Sequence, residues 1–264
     1  MFSAQKVWVG DVPVGGDAPV AVQSMTNTPT ADVAATLSQI RALATAGAVL
    51  VRSAVPDMES VRAFPTLVRE SPVPLIADVH FDFRLAVAAL EAGAAGVRIN
   101  PGNIGSEDRV RAVVETALAT GAVIRVGVNS GSLQRDLREL EERDPAAALV
   151  ESAVRYCVML EDMGFSAIKV SAKSSSPLVT VAANRALAER VPHPLHIGVT
   201  EAGTRWAGSI RSAVALGVLL ECGVGDTIRV SLTGDPVEEV RVAFEILRTL
   251  ELAPRGPRVI SCPT

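Results

Sequence analysis

Short runs rich in valine and isoleucine alternate along the chain with longer stretches whose apolar residues recur every three or four positions. The short runs fall at 20–24, 49–53, 75–79, 96–100, 123–128, 167–171, 195–199 and 227–231 and read as strands. Helical periodicity follows each of them, at 32–46, 58–70, 83–92, 107–120, 146–163, 178–189, 207–221 and 237–250. Gly47, Gly93, Gly121 and Gly164 stand where helix C-terminal caps are expected, and Asp235-Pro236 reads as an N-cap followed by proline in the first turn. Eight β-then-α units with short links predict an α/β protein of the TIM (β/α)8 barrel class. An open doubly wound sheet is the weaker alternative, because the eight units are alike in size and no GxGxxG follows the first strand. The segment VWVGDVPVGGDAP reads as a short N-terminal β-hairpin turning at Gly10-Asp11 and plugging the N-terminal end of the barrel. Residues 1–253 then form the barrel, and 254–264, opening Pro254-Arg255-Gly256-Pro257, an exit from it.

Five of the strand runs carry a cation: Arg52, Arg98, Arg125, Lys169 and Arg229. A charge in a buried strand is costly unless something neutralises it. Because side chains two apart share a face, Arg98 goes with Asn100, Arg125 with Asn129, Lys169 with Ser171, Arg229 with Ser231 and Asp78 with His80. The strand ends of such a barrel build its active site, so the cations predict an anion site at one mouth. The plain alternative is that each cation pairs with an Asp or Glu of a neighbouring loop. The loops 100–105, 129–132 and 231–235 add glycines ahead of helices, where backbone N–H groups favour phosphate. Together these features point to a diphosphate or bisphosphate ligand. On this reading, removing Arg229 leaves the empty barrel as stable or more so, because like charges are separated.

His80 and Glu201 are the candidate acid–base groups, with charge balancing as the alternative role for Glu201. His193, in the turn Pro192-His193-Pro194, is expected to be solvated. Composition narrows the classes further. The 264 residues carry a net charge of −4, which argues against a nucleic-acid surface. No apolar run approaches the roughly 18 residues of a membrane helix, and the N-terminus lacks a signal-peptide core, so a cytoplasmic protein is expected. Three cysteines make no disulfide framework; Cys157 and Cys222 fall in helical patterns and read as packing residues.

The blocks VQSMTNTPTAD, ADVHF, VRINPGNIG, RVGVNSGSL, IKVSAK, HIGVTEAG, GDTIRVSLTGDPVEEV and the terminal SCPT resemble, in order and over almost the whole chain, 4-hydroxy-3-methylbut-2-enyl diphosphate synthases of the non-mevalonate isoprenoid pathway. The resemblance implies a barrel followed by a smaller iron–sulfur domain. It implies reductive ring opening of 2-C-methyl-D-erythritol 2,4-cyclodiphosphate with loss of water. Arg52, Arg98, Arg125, Lys169 and Arg229 would grip the diphosphate, and His80, Asn100, Asn129 and Ser231 would add hydrogen bonds. Glu201 would assist loss of the hydroxyl oxygen. It further implies a 4Fe-4S cluster held by three cysteines and a glutamate, a homodimer in which one subunit's cluster domain covers the other's barrel, and ferredoxin or flavodoxin as electron donor. Cys262-Pro263 matches the first cluster motif, and 254–264 would then be the first residues of the iron–sulfur domain, missing beyond Thr264. The expectation is a chain that binds substrate without reducing it. Two other readings stay open: an aldolase using Lys169 as a Schiff base, and a non-catalytic diphosphate binder.

Overall fold

The computed structural model describes residues 3–130 and 133–253. The chain opens with β1 (Lys6–Val9) and β2 (Val12–Gly15) and continues with β3 (Ala21–Met25), α1 (Val33–Thr45), β4 (Leu50–Ala54), α2 (Met58–Glu70), β5 (Leu75–Asp78) and α3 (Phe83–Glu91). Next come β6 (Gly96–Ile99), α4 (Pro101–Ile104), α5 (Glu107–Thr120), β7 (Val123–Asn129), α6 (Arg138–Arg143), α7 (Pro145–Asp162) and β8 (Ile168–Lys173). The last units are α8 (Pro177–Ala188), β9 (His196–Ile197), α9 (Arg205–Glu221), β10 (Thr227–Ile228) and α10 (Pro236–Thr249).

Strands β3 to β10 form one parallel sheet in the order β8-β7-β6-β5-β4-β3-β10-β9. A parallel bridge between Val170 and Leu195 joins its two edges and closes the barrel. The outward residues of each strand, among them Val22, Val51, Ala77, Val97, Ile124, Val126, Val170 and Ile228, pack with the helices into the main core. Facing inward at the strand starts, Ala21, Leu50, Ile76 and Val123 pack against Val7, Val9 and Val14 of the hairpin. The hairpin pairs Val9 with Val12 around Gly10-Asp11, as the sequence predicts, and floors the barrel with valines. Above that floor the interior turns polar, with Gln23, Arg98, Arg125, Lys169 and His196 all buried.

Gly47, Gly93, Gly121 and Gly164 have left-handed backbone, as expected of helix ends. Asp235 caps α10 by accepting from the Val237 N–H at 2.9 Å. Three departures matter for the site. Strand β8 runs on to Lys173, two residues beyond its predicted end, because Ser130 N still pairs with the Lys173 carbonyl at 3.1 Å. Strands β9 and β10 are shorter than expected, and just past β9 Gly198 passes so close to the Arg229 carbonyl that a Cβ there would lie 2.2 Å from the oxygen. The loop after β6 is a turn of helix, α4, capped by the Asn100 side chain, which accepts from Gly102 N at 3.2 Å.

Candidate functional site

Arg52, Arg98, Arg125, Arg229 and Lys173 converge on one cavity at the C-terminal mouth of the barrel, together with Asn129, Ser171, Thr200 and Ser231. The space it encloses is small, about 60 Å³, well below the roughly 300–1,000 Å³ of ordinary small-ligand clefts. A larger groove between α9 and α10 is mostly apolar, with Trp206, Ile210 and Ile246 on its walls, and contains none of the candidate residues.

Two buried carboxylates hold the guanidinium groups in place. Asp78, 3% exposed, meets Arg52 Nη1 at 3.2 Å and Arg98 Nη1 at 3.4 Å. Burial pushes its carboxyl pKa up, but Arg52, His80 and Arg98 overcome that and hold it well below the usual carboxylate range. Across the barrel, Glu239 of α10 meets Arg229 Nη2 at 3.3 Å and accepts from the Leu232 N–H at 2.8 Å. Burial raises the Glu239 pKa, and Arg229 offsets part of the rise.

Glycine makes the close packing of cations possible. A Cβ at Gly127 would lie 2.4 Å from Arg98 Nε, so its absence lets Arg98 cross β7 and donate to the Gly127 carbonyl at 3.3 Å. With its amide oxygen turned toward the guanidinium, Asn129 accepts from Arg98 Nη2 at 3.1 Å and donates to the Val128 carbonyl at 3.1 Å. Burial and mutual repulsion disfavour the charges: Arg52 is brought down to about 10, and Arg125 and Lys173 fall well below their ordinary values. An arriving anion relieves that repulsion, which is the electrostatic driving force of the site.

The structure separates the sequence candidates. Arg52, Arg98, Arg125, Asn129, Arg229 and Ser231 line the cavity. Lys169 does not: it lies lower, with Arg125, in a small pocket walled by Val9, Ile76, Gly96, Val97 and Val123. Its side chain is 1% exposed and its ammonium has no hydrogen-bond partner among the described residues. A carbonyl substrate has no route to it, which removes the support for a Schiff-base aldolase. Lys173, which the sequence reading passed over, takes the place at the mouth. Parity could have found it, since it shares the face of Lys169 and Ser171.

Asn100 is 2% exposed and is engaged in capping α4. His80 sits at the rim, its Nδ1 3.4 Å from Arg98 Nη1 and its Nε2 3.6 Å from Asp78 Oδ2. Glu201 is exposed, follows the cavity residue Thr200, and has left-handed backbone at φ 50°. Its carboxylate makes no hydrogen bond or ion pair among the described residues. Gly131, Ser132 and Cys262 lie outside the described residues.

One expectation is overturned and another is opposed. His193 is not solvated: it is 1% exposed, with Nδ1 2.7 Å from Gln5 Oε1 and Nε2 2.9 Å from Glu161 Oε1, tying the N-terminal segment to α7. The pair with the buried Glu239 carboxylate argues against the expectation that Arg229 can be removed without loss of stability, because removal would leave that carboxylate unpaired. Arg229→Ala is expected to lower the stability of the unliganded protein by about 2 kcal/mol or more, measured by urea unfolding. An unchanged or raised midpoint would mean that repulsion from the other cations outweighs the Glu239 pair.

Cys157 is buried in α7, and burial pushes its thiol up to about 12. Cys222, at the end of α9, lies 3.4 Å from Arg185 Nη2. The described residues contain no group of three His, Cys, Asp or Glu placed to hold a metal, so they do not fit an iron–sulfur cluster. Among them no helix is long and apolar enough to cross a membrane.

A family model described as the GcpE TIM-barrel domain matches residues 4–244. The 4-hydroxy-3-methylbut-2-en-1-yl diphosphate synthase (flavodoxin) of Geobacter sulfurreducens is 54% identical over 260 residues, covering 98% of this chain and 74% of that protein. The protein of the same name from Ectopseudomonas mendocina is 54% identical over 261 residues, covering 99% of this chain and 70% of that protein. Among solved structures, dihydropteroate synthase from Xanthomonas albilineans aligns with TM-score 0.68 at 16% identity, covering 95% of this chain and 100% of that one. The Stenotrophomonas maltophilia enzyme gives 0.69 at 18%, covering 95% and 99%. At such identities these two show the barrel fold alone.

Proposed function

The chain belongs to the GcpE TIM-barrel family of 4-hydroxy-3-methylbut-2-en-1-yl diphosphate synthases, and from that premise we propose that its cationic mouth binds 2-C-methyl-D-erythritol 2,4-cyclodiphosphate for reductive ring opening and dehydration. The observation that carries this reading is the convergence of Arg52, Arg98, Arg125, Lys173 and Arg229 on one cavity. A cyclic diphosphate brings negative charge that these groups lack among themselves. Ring opening leaves further charge on the departing diphosphate oxygen, and a preorganised cationic cradle stabilises that charge more than it stabilises the ground state.

Asn129 and Ser231 supply hydrogen bonds at the cavity wall, His80 acts at its rim, and the buried Asn100 shapes the loop after β6 by capping α4. Lys169 contributes from below through its field rather than by contact. Glu201, on the loop after β9, gives a proton to the hydroxyl oxygen as it leaves as water. A 4Fe-4S cluster, if bound, would supply the electrons for the reduction, and flavodoxin, named for the relatives, would be its reductant. The described residues do not provide ligands for such a cluster. A homodimer and a cytoplasmic setting belong to the same reading.

Isothermal titration of this chain with the cyclic diphosphate tests the proposal. Lys173→Met is expected to weaken binding by about tenfold or more, as loss of one charge-assisted contact does. Equal affinity for the variant, or no binding by the parent, overturns it.

A further inference from the structure

Three of the residues assigned to the diphosphate site, Arg52, Arg98 and His80, share one neighbour that does not touch the cavity. We infer that Asp78 is a positioning residue for this site, a single buried carboxylate that sets the spacing of two guanidinium groups and the rim histidine before any anion arrives. The inference rests on the proposed function and says how that site is made selective.

The contacts divide between its two oxygens. Oδ2 faces Arg52 Nη1 at 3.2 Å and His80 Nε2 at 3.6 Å, while Oδ1 faces Arg98 Nη1 at 3.4 Å. Arg52 gives Asp78 one of its five N–H donors, while Arg98 also meets His80, the Gly127 carbonyl and Asn129, so its guanidinium is fixed from several sides. His80 thus stands between the two, its Nδ1 toward Arg98 and its Nε2 toward Asp78.

Strand pairing explains why this position serves all three. Asp78 is the register partner of Arg98 on β6 and of Ala54 on β4, two residues beyond Arg52 on the same inward face. Asp78 is 3% exposed and absent from the cavity wall, so it acts through its neighbours. Without it, Arg52 and Arg98 would repel each other with no carboxylate between them, and their forks would move apart. Its charge opposes anion binding, yet its geometry favours a ligand with two phosphoryl groups at a fixed separation. Charge and position therefore predict opposite effects, and a variant can tell them apart.

The test is calorimetric titration of the 264-residue chain and its Asp78→Glu variant with the cyclic diphosphate, inorganic diphosphate and inorganic phosphate. Asp78→Glu keeps the charge and displaces the oxygens by about one methylene. Affinity for both diphosphates is expected to fall by about tenfold or more, and that for inorganic phosphate by less than about twofold. Parent-like affinity for all three ligands, or an equal loss for all three, overturns the inference. Should Asp78→Glu not fold, Asp78→Asn gives the same reading: diphosphate affinity falls while phosphate affinity holds or rises. A parent that binds inorganic diphosphate but not the cyclic substrate sinks the proposed function, and the positioning role is then read from inorganic diphosphate alone. A parent that binds none of the three sinks both.

Discussion

Glu201→Gln, in a form of the protein that carries the cluster ligands, is expected to bind the cyclic diphosphate as tightly as the parent and to lose turnover by about a hundredfold or more. The exposed carboxylate follows Thr200 of the cavity wall and has no partner among the described residues that would reserve it for structure. Its left-handed backbone, φ 50°, is uncommon for a residue with a Cβ and is the kind of local strain that gathers at functional sites. Glutamine keeps the size and the hydrogen-bonding capacity of the side chain but cannot deliver a proton. Because the grip on the diphosphate lies in other residues, affinity should be unaffected, and a KM-like loss in place of a kcat loss would point to a binding role. Parent-level turnover in a reductant-coupled assay removes Glu201 from the proton-transfer step.

Lys169→Met is expected to stabilise the protein at pH 7, to remove a pH dependence of its stability, and to weaken diphosphate binding far less than Lys173→Met does. Burial first, and then Arg125, lower the Lys169 pKa to about 7, with Asp226 opposing. The unfolded side chain keeps a pKa near 10.4. Between about 7 and about 10.4 the unfolded state holds a proton that the folded state has released, so stability rises with pH across that window. Below about 7 both states are protonated and the full penalty of burying the charge is present. Methionine fits the apolar walls around Val9, Ile76, Val97 and Val123 and carries no charge. Thermal melts of parent and variant should therefore differ most at neutral pH and converge toward pH 10. A variant less stable than the parent at pH 7 would mean that the Asp226 interaction outweighs the cost of burial.

The two lysines of β8 show where sequence reading stops. Parity places Lys169, Ser171 and Lys173 on one inward face, but it does not assign a height within the barrel. Asp78, Arg98, Arg125 and Lys169 are successive register partners across β5, β6, β7 and β8. In a barrel whose strands tilt by about 36°, each step to the next strand changes height by roughly 3 Å, so three steps amount to roughly 8 Å. Lys169 is carried to the floor by that stagger, and four more residues along the same strand bring Lys173 back to the mouth.

The eight β/α units, the hairpin turning at Gly10-Asp11, the helix caps and the inward face of each cation were all determined by the sequence itself. They follow from local rules, the period of two in a strand, the period of 3.6 in a helix, and the turn preferences of glycine and proline. Which cations share a cavity, and which carboxylates hold them, was decided only by the tertiary structure. Glu239 reaches Arg229 from the following helix and Asp78 reaches Arg98 from the preceding strand. His193, placed by the sequence in an open turn, is covered by Gln5 and Glu161 from distant segments. Barrel closure and strand stagger set these meetings, and both are properties of the sheet as a whole rather than of any one of its strands.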